Sequence, residues 1–389
     1  VTVGFILYRI PIKNSNFYAR DGFAVVALSW IVISLFGSFP FIISNAIPSF
    51  IDAFFETVSG FTTTGSTILQ EIESLPKGIL FWRSFTHWMG GMGVLILTLA
   101  VLPTIGVGSL HIMKAEATGP STEKLVPKLG HTAKILYTIY TVMTAIQIIF
   151  LLIAGMPLFD SIIHAFGSAG TGGFSSRNLS VGAYGNVYIE IIITVFTILF
   201  GVNFSLYYRF IKGDVRSFLK DEEFVFYMGT ILVSIALITI DLFKNGLFTL
   251  DQSLRHSSFQ VGTIITTTGF STTDFNLWPA FSKTILVVLM LFGASAGSTG
   301  GGIKCIRILL LLKTAKREIA KIIHPRAVHT VKTNHRVNDE DTVTGTLTYF
   351  FIYIAVFVIS TLFISLNGKD LVTSGTAVIA TLSNIGPGF

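Results

Sequence analysis

The chain has 389 residues, of which 51% are hydrophobic and 12% charged, with mean hydropathy +0.71 and net charge +6. That charge content is about half what soluble domains carry, so composition excludes a soluble enzyme and places the chain in a bilayer. The single cysteine, Cys305, excludes an internal disulfide. The basic excess comes with no basic and aromatic surface for bases, so anionic membrane lipid, and no nucleic acid, is the expected partner.

In chain order, residues 1–8 read as the tail of an earlier apolar helix, followed by a cytoplasmic stretch to residue 22. Near-uncharged stretches suited to crossing about 30 Å of hydrocarbon recur at 23–44, 85–107, 135–154, 187–210, 224–242, 281–292 with its continuation after Gly302, and 343–366. They predict about seven spans. The sequence stops at Phe389 directly after a glycine turn, so both ends are expected to be cut.

Basic residues sort by side. Arg9, Lys13 and Arg20, then Lys114, Lys124, Lys128 and Lys134, then Arg209, Lys212, Arg216 and Lys220, then Lys313 through Arg336 occupy alternate loops, which the positive-inside rule makes cytoplasmic. The loops between hold Lys77, Arg177, Lys244, Lys283 and Lys369 with Glu71, Glu73 and Asp274, and face outside.

One design recurs four times: an apolar span, an Asp, a short semi-polar stretch, a glycine turn, and a further apolar run. The turns are Thr62-Thr63-Thr64-Gly65-Ser66, Gly170-Thr171-Gly172-Gly173-Phe174-Ser175, Thr266-Thr267-Thr268-Gly269-Phe270-Ser271 and Asn384-Ile385-Gly386-Pro387-Gly388-Phe389. They align on Gly65, Gly173, Gly269 and Gly388. Asp52, Asp160, Asp251 and Asp370 precede these glycines by 13 residues in two repeats and 18 in the others, and Asp is a preferred helix N-cap. Four short helices are therefore expected to start at the outer surface, run partway in, and end at the turns.

A single Thr-Thr-Thr-Gly fits close helix packing equally well, but four in register do not. Irregular backbone at membrane depth must be buried in protein or line a water-filled cavity, so the four loops share one cavity. Glycine there lets successive carbonyls turn inward and replace an ion's hydration shell, with four helix C-termini favouring a cation.

In the third repeat the apolar run 281–292 is broken by Gly293-Ala294-Ser295-Ala296-Gly297-Ser298-Thr299-Gly300-Gly301-Gly302 and resumes at Ile303. That is a helix interrupted in mid-membrane, either a gate below the turns or a static hinge. Lys304 and Arg307 either line the inner vestibule or snorkel to the cytoplasmic face. Glu56, His164 and Arg255 each follow the repeat's Asp by four residues, on one helical face. His164 and Arg255 are expected to hold their helices in place, and Glu56 beside Asp52 to attract outer cations. His87 and Trp88, read as the start of the helix after the first turn, are expected to pack.

Two rival readings are weaker. Gly297 to Lys304 looks like a phosphate loop, but Ile303 separates Gly302 from Lys304 and Cys305 follows, where a phosphate loop needs Gly-Lys-Ser/Thr. An ion-coupled alternating-access carrier also uses broken helices, but here all four repeats point the same way, as around a pore.

The four turns, His87-Trp88-Met89-Gly90-Gly91-Met92-Gly93, Ala115-Glu116-Ala117-Thr118-Gly119-Pro120 and Gly297 to Lys304 resemble the Trk/Ktr/HKT potassium transporter superfamily, with the TrkH branch fitting best. The resemblance implies an all-α polytopic membrane protein of four M1, pore-loop, M2 repeats around a central pore. Repeat 1 covers 23–110 (pore loop 60–67), repeat 2 covers 135–212 (168–176), and repeat 3 covers 213–312 (263–272). Repeat 4 covers 343–389 and ends after its loop at 384–389, with the last M2 expected beyond Phe389. Residues 111–134 and 313–342 are cytoplasmic.

The resemblance further implies potassium as the transported ion, with no cofactor and no enzymatic activity. Its filter would comprise Thr62, Thr63, Thr64 and Gly65; Gly170, Thr171, Gly172 and Gly173; Thr266, Thr267, Thr268 and Gly269; and Ile385, Gly386, Pro387 and Gly388. Main-chain oxygens would do most of the work, with threonine hydroxyls as candidates for an inner site. Gly65, where some relatives have serine, implies potassium over sodium. The gate would comprise Gly293, Gly297, Gly300, Gly301, Gly302 and Lys304. The expected setting is the bacterial inner membrane, as a homodimer with a cytoplasmic nucleotide-binding regulatory subunit, for which 313–336 is the candidate contact. Channel-like conduction and proton or sodium symport both remain compatible with the residues.

Overall fold

A computed structural model describes residues 19–93, 129–327 and 329–388. The expected helix tail at 1–8, the far end of the 85–107 span, the motif at 115–120, Lys114, Lys124, Lys128 and Phe389 lie outside the described residues.

Each repeat opens with a long apolar helix: α1 (Ala19–Gly37) continuing into α2 (Phe39–Ile43), then, in the second to fourth repeats, Leu129–Ile153, Glu222–Lys244 and Glu340–Ser365. These four alone are long and apolar enough to cross a membrane as single spans among the described residues. Their apolar side chains mostly face outward, with only 11–33% of each apolar window buried inside the protein. Phe351, Leu362 and Phe363 of the fourth are 74%, 63% and 67% exposed, as expected where lipid tails replace a protein core.

Short helices follow: α3 (Phe50–Phe61), then, past α4 (Lys77–Gly91) and α5 (Leu129–Ile153), α6 (Leu158–Gly170). At about 1.5 Å per residue their 12 and 13 residues cover less than 20 Å, well short of a crossing. The third and fourth counterparts hold 16 and 12 residues. Only the fourth is capped by its Asp: Asp370 accepts from the Val372 and Thr373 amides, and the Thr373 hydroxyl holds its carboxyl below the ordinary range. The other N-caps are Ser49, Pro157 and Thr249. Asp52, Asp160 and Asp251 sit inside the first turn, where a negative charge still meets the positive helix end.

Of the second helices of the first three repeats, two depart from the expected spans and the third is interrupted as the sequence predicts. The first of these, α4, begins at Lys77 rather than residue 85 and carries Arg83 inside it, so His87 and Trp88 lie well within the helix. The 187–210 stretch is two helices, α7 (Val187–Phe200) and α8 (Phe204–Ile211), bent by 91°. Asn203 ends the bend by accepting from Ser205 N as N-cap. After α9 (Arg216–Lys220), α10 (Glu222–Lys244) and α11 (Leu250–Ile265), the third repeat's second helix is α12 (Ala280–Phe292), which breaks and resumes as α13 (Cys305–Ile323).

A small hairpin of β1 (Lys332–Thr333) and β2 (Arg336–Val337) pairs Lys332 with Val337 and Thr333 with Arg336. The chain then continues through α14 (Glu340–Ser365) and α15 (Leu371–Leu382). The described residues are thus mostly helical, with one two-residue hairpin as their sheet, and α3, α6, α11 and α15 all deliver their C-termini to one place.

Candidate ion pathway

Each of these four helices ends in the same turn. Thr63, Thr171, Thr267 and Asn384 have φ of 58°, 55°, 60° and 57°, and two residues later Gly65, Gly173, Gly269 and Gly386 have φ of 77°, 76°, 80° and 94°. The amide hydrogen bonds repeat with the same spacing. Thr63, Thr171, Thr267 and Asn384 donate three residues back, to Gly60, Ser168, Ile264 and Thr381. Thr64, Gly172, Thr268 and Ile385 donate five residues back, to Ser59, Gly167, Thr263 and Ala380.

The turns close on one another. A Cβ built on Gly65 would lie 2.1 Å from Gly172 O, one on Gly173 2.0 Å from Thr268 O, one on Gly269 2.0 Å from Ile385 O, and one on Gly386 2.8 Å from Thr64 O. Every turn thus presses its glycine against the carbonyl before the next turn's glycine, and the fourth returns to the first. Side chains are excluded by contact and by positive φ together.

This ring corrects the sequence register of the fourth repeat. Gly386, not Gly388, matches Gly65, Gly173 and Gly269, and the turn begins at Ser383 and Asn384. Gly388 lacks a positive φ and rests against Thr376 of α15. Asn384 takes the left-handed position that threonine fills elsewhere, as asparagine readily does. Pro387 lies beside the ring, its Cδ 2.7 Å from a Cβ built on Gly269.

Three threonine hydroxyls turn back on the carbonyl before them: Thr63 to Thr62 O, Thr171 to Gly170 O and Thr267 to Thr266 O, at 2.6–2.7 Å. The fourth repeat breaks the pattern, since the Thr64 hydroxyl donates to Asn384 Oδ1 at 2.7 Å.

Outside the ring, ion pairs hold the short helices. Glu56 is 1% exposed and meets the buried Arg83 at 2.6 Å, while Thr67 Oγ1 and Ile68 N also donate to it. Its charge is therefore neutralised, which corrects the expectation that it draws outer cations. Arg83 also donates to Ser175 O and lies 3.5 Å over the Phe174 ring, and His87 stacks on the same ring at 3.9 Å, so its surroundings are those of a packed residue.

Arg255 bonds Glu190 of α7 through two contacts of 2.6 Å rather than Asp251. His164 bonds the Asp160 carbonyl at 2.8 Å and Ser175 Oγ at 3.0 Å, while the Asp160 carboxylate takes the Ser176 hydroxyl and Arg177.

Between α12 and α13 the intramembrane loop lies directly against the turns. Gly301 N donates to Thr267 Oγ1 at 2.6 Å and Gly302 N to Ser383 O at 3.1 Å. A Cβ on Gly300 or Gly301 would lie 2.8 Å from Thr266 O or 2.3 Å from Ser383 O. The loop also locks into the bend between α7 and α8, where Ser295 N donates to Gly201 O and Phe204 N to Gly297 O, both at 3.0 Å.

Gly293, Gly297 and Gly302 have positive φ, and so does Lys304 at 81°. Lys304 is 2% exposed, and its ammonium donates to Gly300 O inside the loop, so it neither reaches an open vestibule nor snorkels. Arg307 lies over the Tyr349 ring at 4.1 Å and donates to Ile303 O.

Sequence reasoning missed Arg83 and Glu190, and left Ser383 and Asn384 out of the filter. The first two carried a usable signal, since an isolated charge inside an apolar run needs a partner. The last two were hidden by a fourth turn that offers two glycines.

A family model described as "Cation transport protein", TrkH, matches residues 7–389. The potassium uptake protein TrkH of Salmonella typhimurium is 39% identical over 385 residues, covering 97% of this chain and 79% of that protein. The TrkH of Halomonas elongata is 38% identical, covering all of this chain and 81% of that one. The crystal structure of the potassium transporter TrkH from Vibrio parahaemolyticus superposes with a TM-score of 0.87 at 35% identity, covering 99% of this chain and 80% of that one. With the repeated turns and the ring they form, these matches establish that the chain belongs to the TrkH family of cation transport proteins.

Proposed function

We propose that this protein takes up potassium across the bacterial plasma membrane through the ring of main-chain oxygens. The observation that carries the reading is the closed cycle in which the Thr64, Gly172, Thr268 and Ile385 carbonyls each face the glycine of the neighbouring turn. Carbonyls on backbone fixed by local hydrogen bonds can replace the hydration shell of a monovalent cation, yet being neutral they release it again. Four helix C-termini contribute partial negative charge at the same place. The filter on this reading is Thr62–Gly65, Gly170–Gly173, Thr266–Gly269 and Ser383–Gly386, and the potassium for which the relatives are named fits it.

The loop 293–302 with Lys304 is the gate. Supporting this are its hydrogen bonds to the Thr267 hydroxyl and the Ser383 carbonyl and the buried ammonium it encloses, a charge that opposes a cation's passage. For regulation, the exposed Lys316, Lys321, Arg326, Lys332 and Arg336 offer the cytoplasmic subunit that the family resemblance implies a basic docking face, and a homodimer is the expected assembly.

The test is rubidium-86 uptake by the protein in proteoliposomes, competed with potassium or sodium. Potassium should compete best, Gly269→Ser should erase that preference, and deletion of 300–302 should raise flux. Absence of cation flux in the native protein would favour an alternating-access carrier instead.

A further inference from the structure

The intramembrane loop and the helix that follows it each give one hydrogen bond to a side chain outside the pore. Glu223, in the first turn of α10, is 5% exposed, and its Oε1 accepts from Ala296 N at 2.7 Å and Ile306 N at 3.0 Å. Ala296 lies within the loop and Ile306 in the first turn of α13, so one carboxylate ties the loop to the helix that carries it toward the cytoplasm. The Ile306 amide is among the N-terminal donors that α13 cannot satisfy itself, and a carboxylate there also meets the positive end of the helix.

The two residues before Glu223 face the cytoplasmic hairpin. Asn334 donates through Nδ2 to Asp221 at 2.8 Å and through its backbone N to Glu222 at 3.2 Å, and its Oδ1 accepts from Glu222 N at 2.8 Å. Lys313 bridges the Glu222 carboxylate and Lys332 O. Asn334 and His335 form the hairpin tip at positive φ, and Val331 anchors its base, 3% exposed against Leu310 and Val343. Three consecutive acids therefore grip two objects: two hold the hairpin and the third holds the loop. Their separation along the chain is fixed, so the hairpin cannot carry the start of α10 away without drawing Glu223 from Ala296 and Ile306.

We propose that Asp221-Glu222-Glu223 is a latch, with the hairpin at 331–338 as its handle and Glu223 as the positioning residue that keeps the loop closed. This rests on reading the loop as a gate. Movement of the hairpin opens the passage with no change in the ring, so flux rises while the preference among cations stays.

The chain carries its own reporter. Cys305, the single cysteine, is buried with Sγ 3.3 Å from Gly293 O, so a thiol reagent reaches it only when the loop departs. The experiment measures methanethiosulfonate modification of Cys305 and rubidium-86 flux in proteoliposomes for the native protein, Glu223→Ala, Glu223→Gln, Asn334→Ala and the Glu223→Ala/Asn334→Ala pair.

Both readouts are expected to rise roughly tenfold in Glu223→Ala, in keeping with the loss of hydrogen bonds to a charged group. Glu223→Gln should rise less, because its amide oxygen still accepts. Asn334→Ala should rise by a smaller factor, and the double variant should match Glu223→Ala, since both act along one path.

Native rates in a Glu223→Ala variant that elutes as the native protein does would overturn the latch, and so would multiplying effects in the double variant. If Glu223→Ala does not fold, Glu223→Gln decides: raised Cys305 reactivity supports the latch and native reactivity ends it. Unchanged flux on deleting 300–302 instead sinks the gate reading itself, and that outcome is separable because the deletion leaves Glu223 in place.

Discussion

The ring and the loop beneath it are both irregular backbone at membrane depth, yet they satisfy their polar groups in opposite ways. Each turn of the ring sends its amides back three and five residues to its own short helix, and the pattern is the same in all four repeats. The loop exists once and depends on others: Gly201 and Ser383 carbonyls, the Thr267 hydroxyl and the Glu223 carboxylate. Local, repeated bonds make a fixed structure, whereas borrowed bonds can be withdrawn. On the proposed reading, the fixed ring recognises the cation and the loop, whose bonds can be withdrawn, controls its passage.

The largest expected effect breaks the ring. Gly386→Ala forces a Cβ to within 2.8 Å of Thr64 O at φ 94°, and uptake should fall on the order of a hundredfold, as overpacking and positive φ add. Gly388→Ala meets its nearest neighbour at 3.2 Å with ordinary backbone, and uptake should stay within about twofold. Rubidium-86 uptake by the two variants decides the register of the fourth turn, because the register aligned on Gly388 expects the reverse order.

Next is the support around the ring. Removing Arg83 leaves Glu56 as a buried unpaired charge, which costs about 3–5 kcal/mol, so Arg83→Ala should unfold at a clearly lower temperature in detergent. Arg255→Ala should lose less, because its guanidinium is 25% exposed and water takes over part of its role. Glu56→Gln with Arg83→Met should regain much of the loss. Equal melting of both single variants would remove the distinction between a dry pair at the first repeat and a wetted one at the third.

Deleting residues 300–302 removes the part of the loop that bonds to the turns. Flux should rise roughly tenfold, the size of the two neutral hydrogen bonds that Gly301 N and Gly302 N make to Thr267 Oγ1 and Ser383 O, while potassium-over-sodium competition stays native. A shift in competition would mean that the loop also shapes the ring.

How far this was legible follows from which residues carry local information. Positive-φ positions favour glycine, so the turns at Gly65, Gly173 and Gly269 and the loop at 293–302 could be read directly. Gly201 has an ordinary φ of −76° and is small because a Cβ would lie 2.4 Å from Tyr227 Oη. That distant contact is invisible in an apolar run, so the 91° bend was read as a straight span. Arg83 and Glu56 lie 27 residues apart, and Arg255 and Glu190 lie 65 apart, so charges read as helix neighbours or cation lures proved to be cross-helix pairs. Helix N-caps were misplaced by two or three residues, because Ser49 and Thr249 compete with Asp for that role.

The smallest expected effect concerns a place where the ring is not four-fold. Asn384 stands where the other turns have threonine, and its side chain takes the Thr64 hydroxyl across the first and fourth repeats. In Asn384→Thr the new hydroxyl can turn back on the Ser383 carbonyl, as Thr63, Thr171 and Thr267 do on theirs, but the bond between repeats is lost. The turn itself is kept at a left-handed cost of about 1–2 kcal/mol, which the three threonines already bear. The potassium-over-sodium preference should therefore change by less than about threefold, the scale of half a neutral hydrogen bond, as read by competition of rubidium-86 uptake. A larger change would mean that the Thr64–Asn384 bond sets the ring's diameter and that side chains, beside the backbone, take part in choosing the ion.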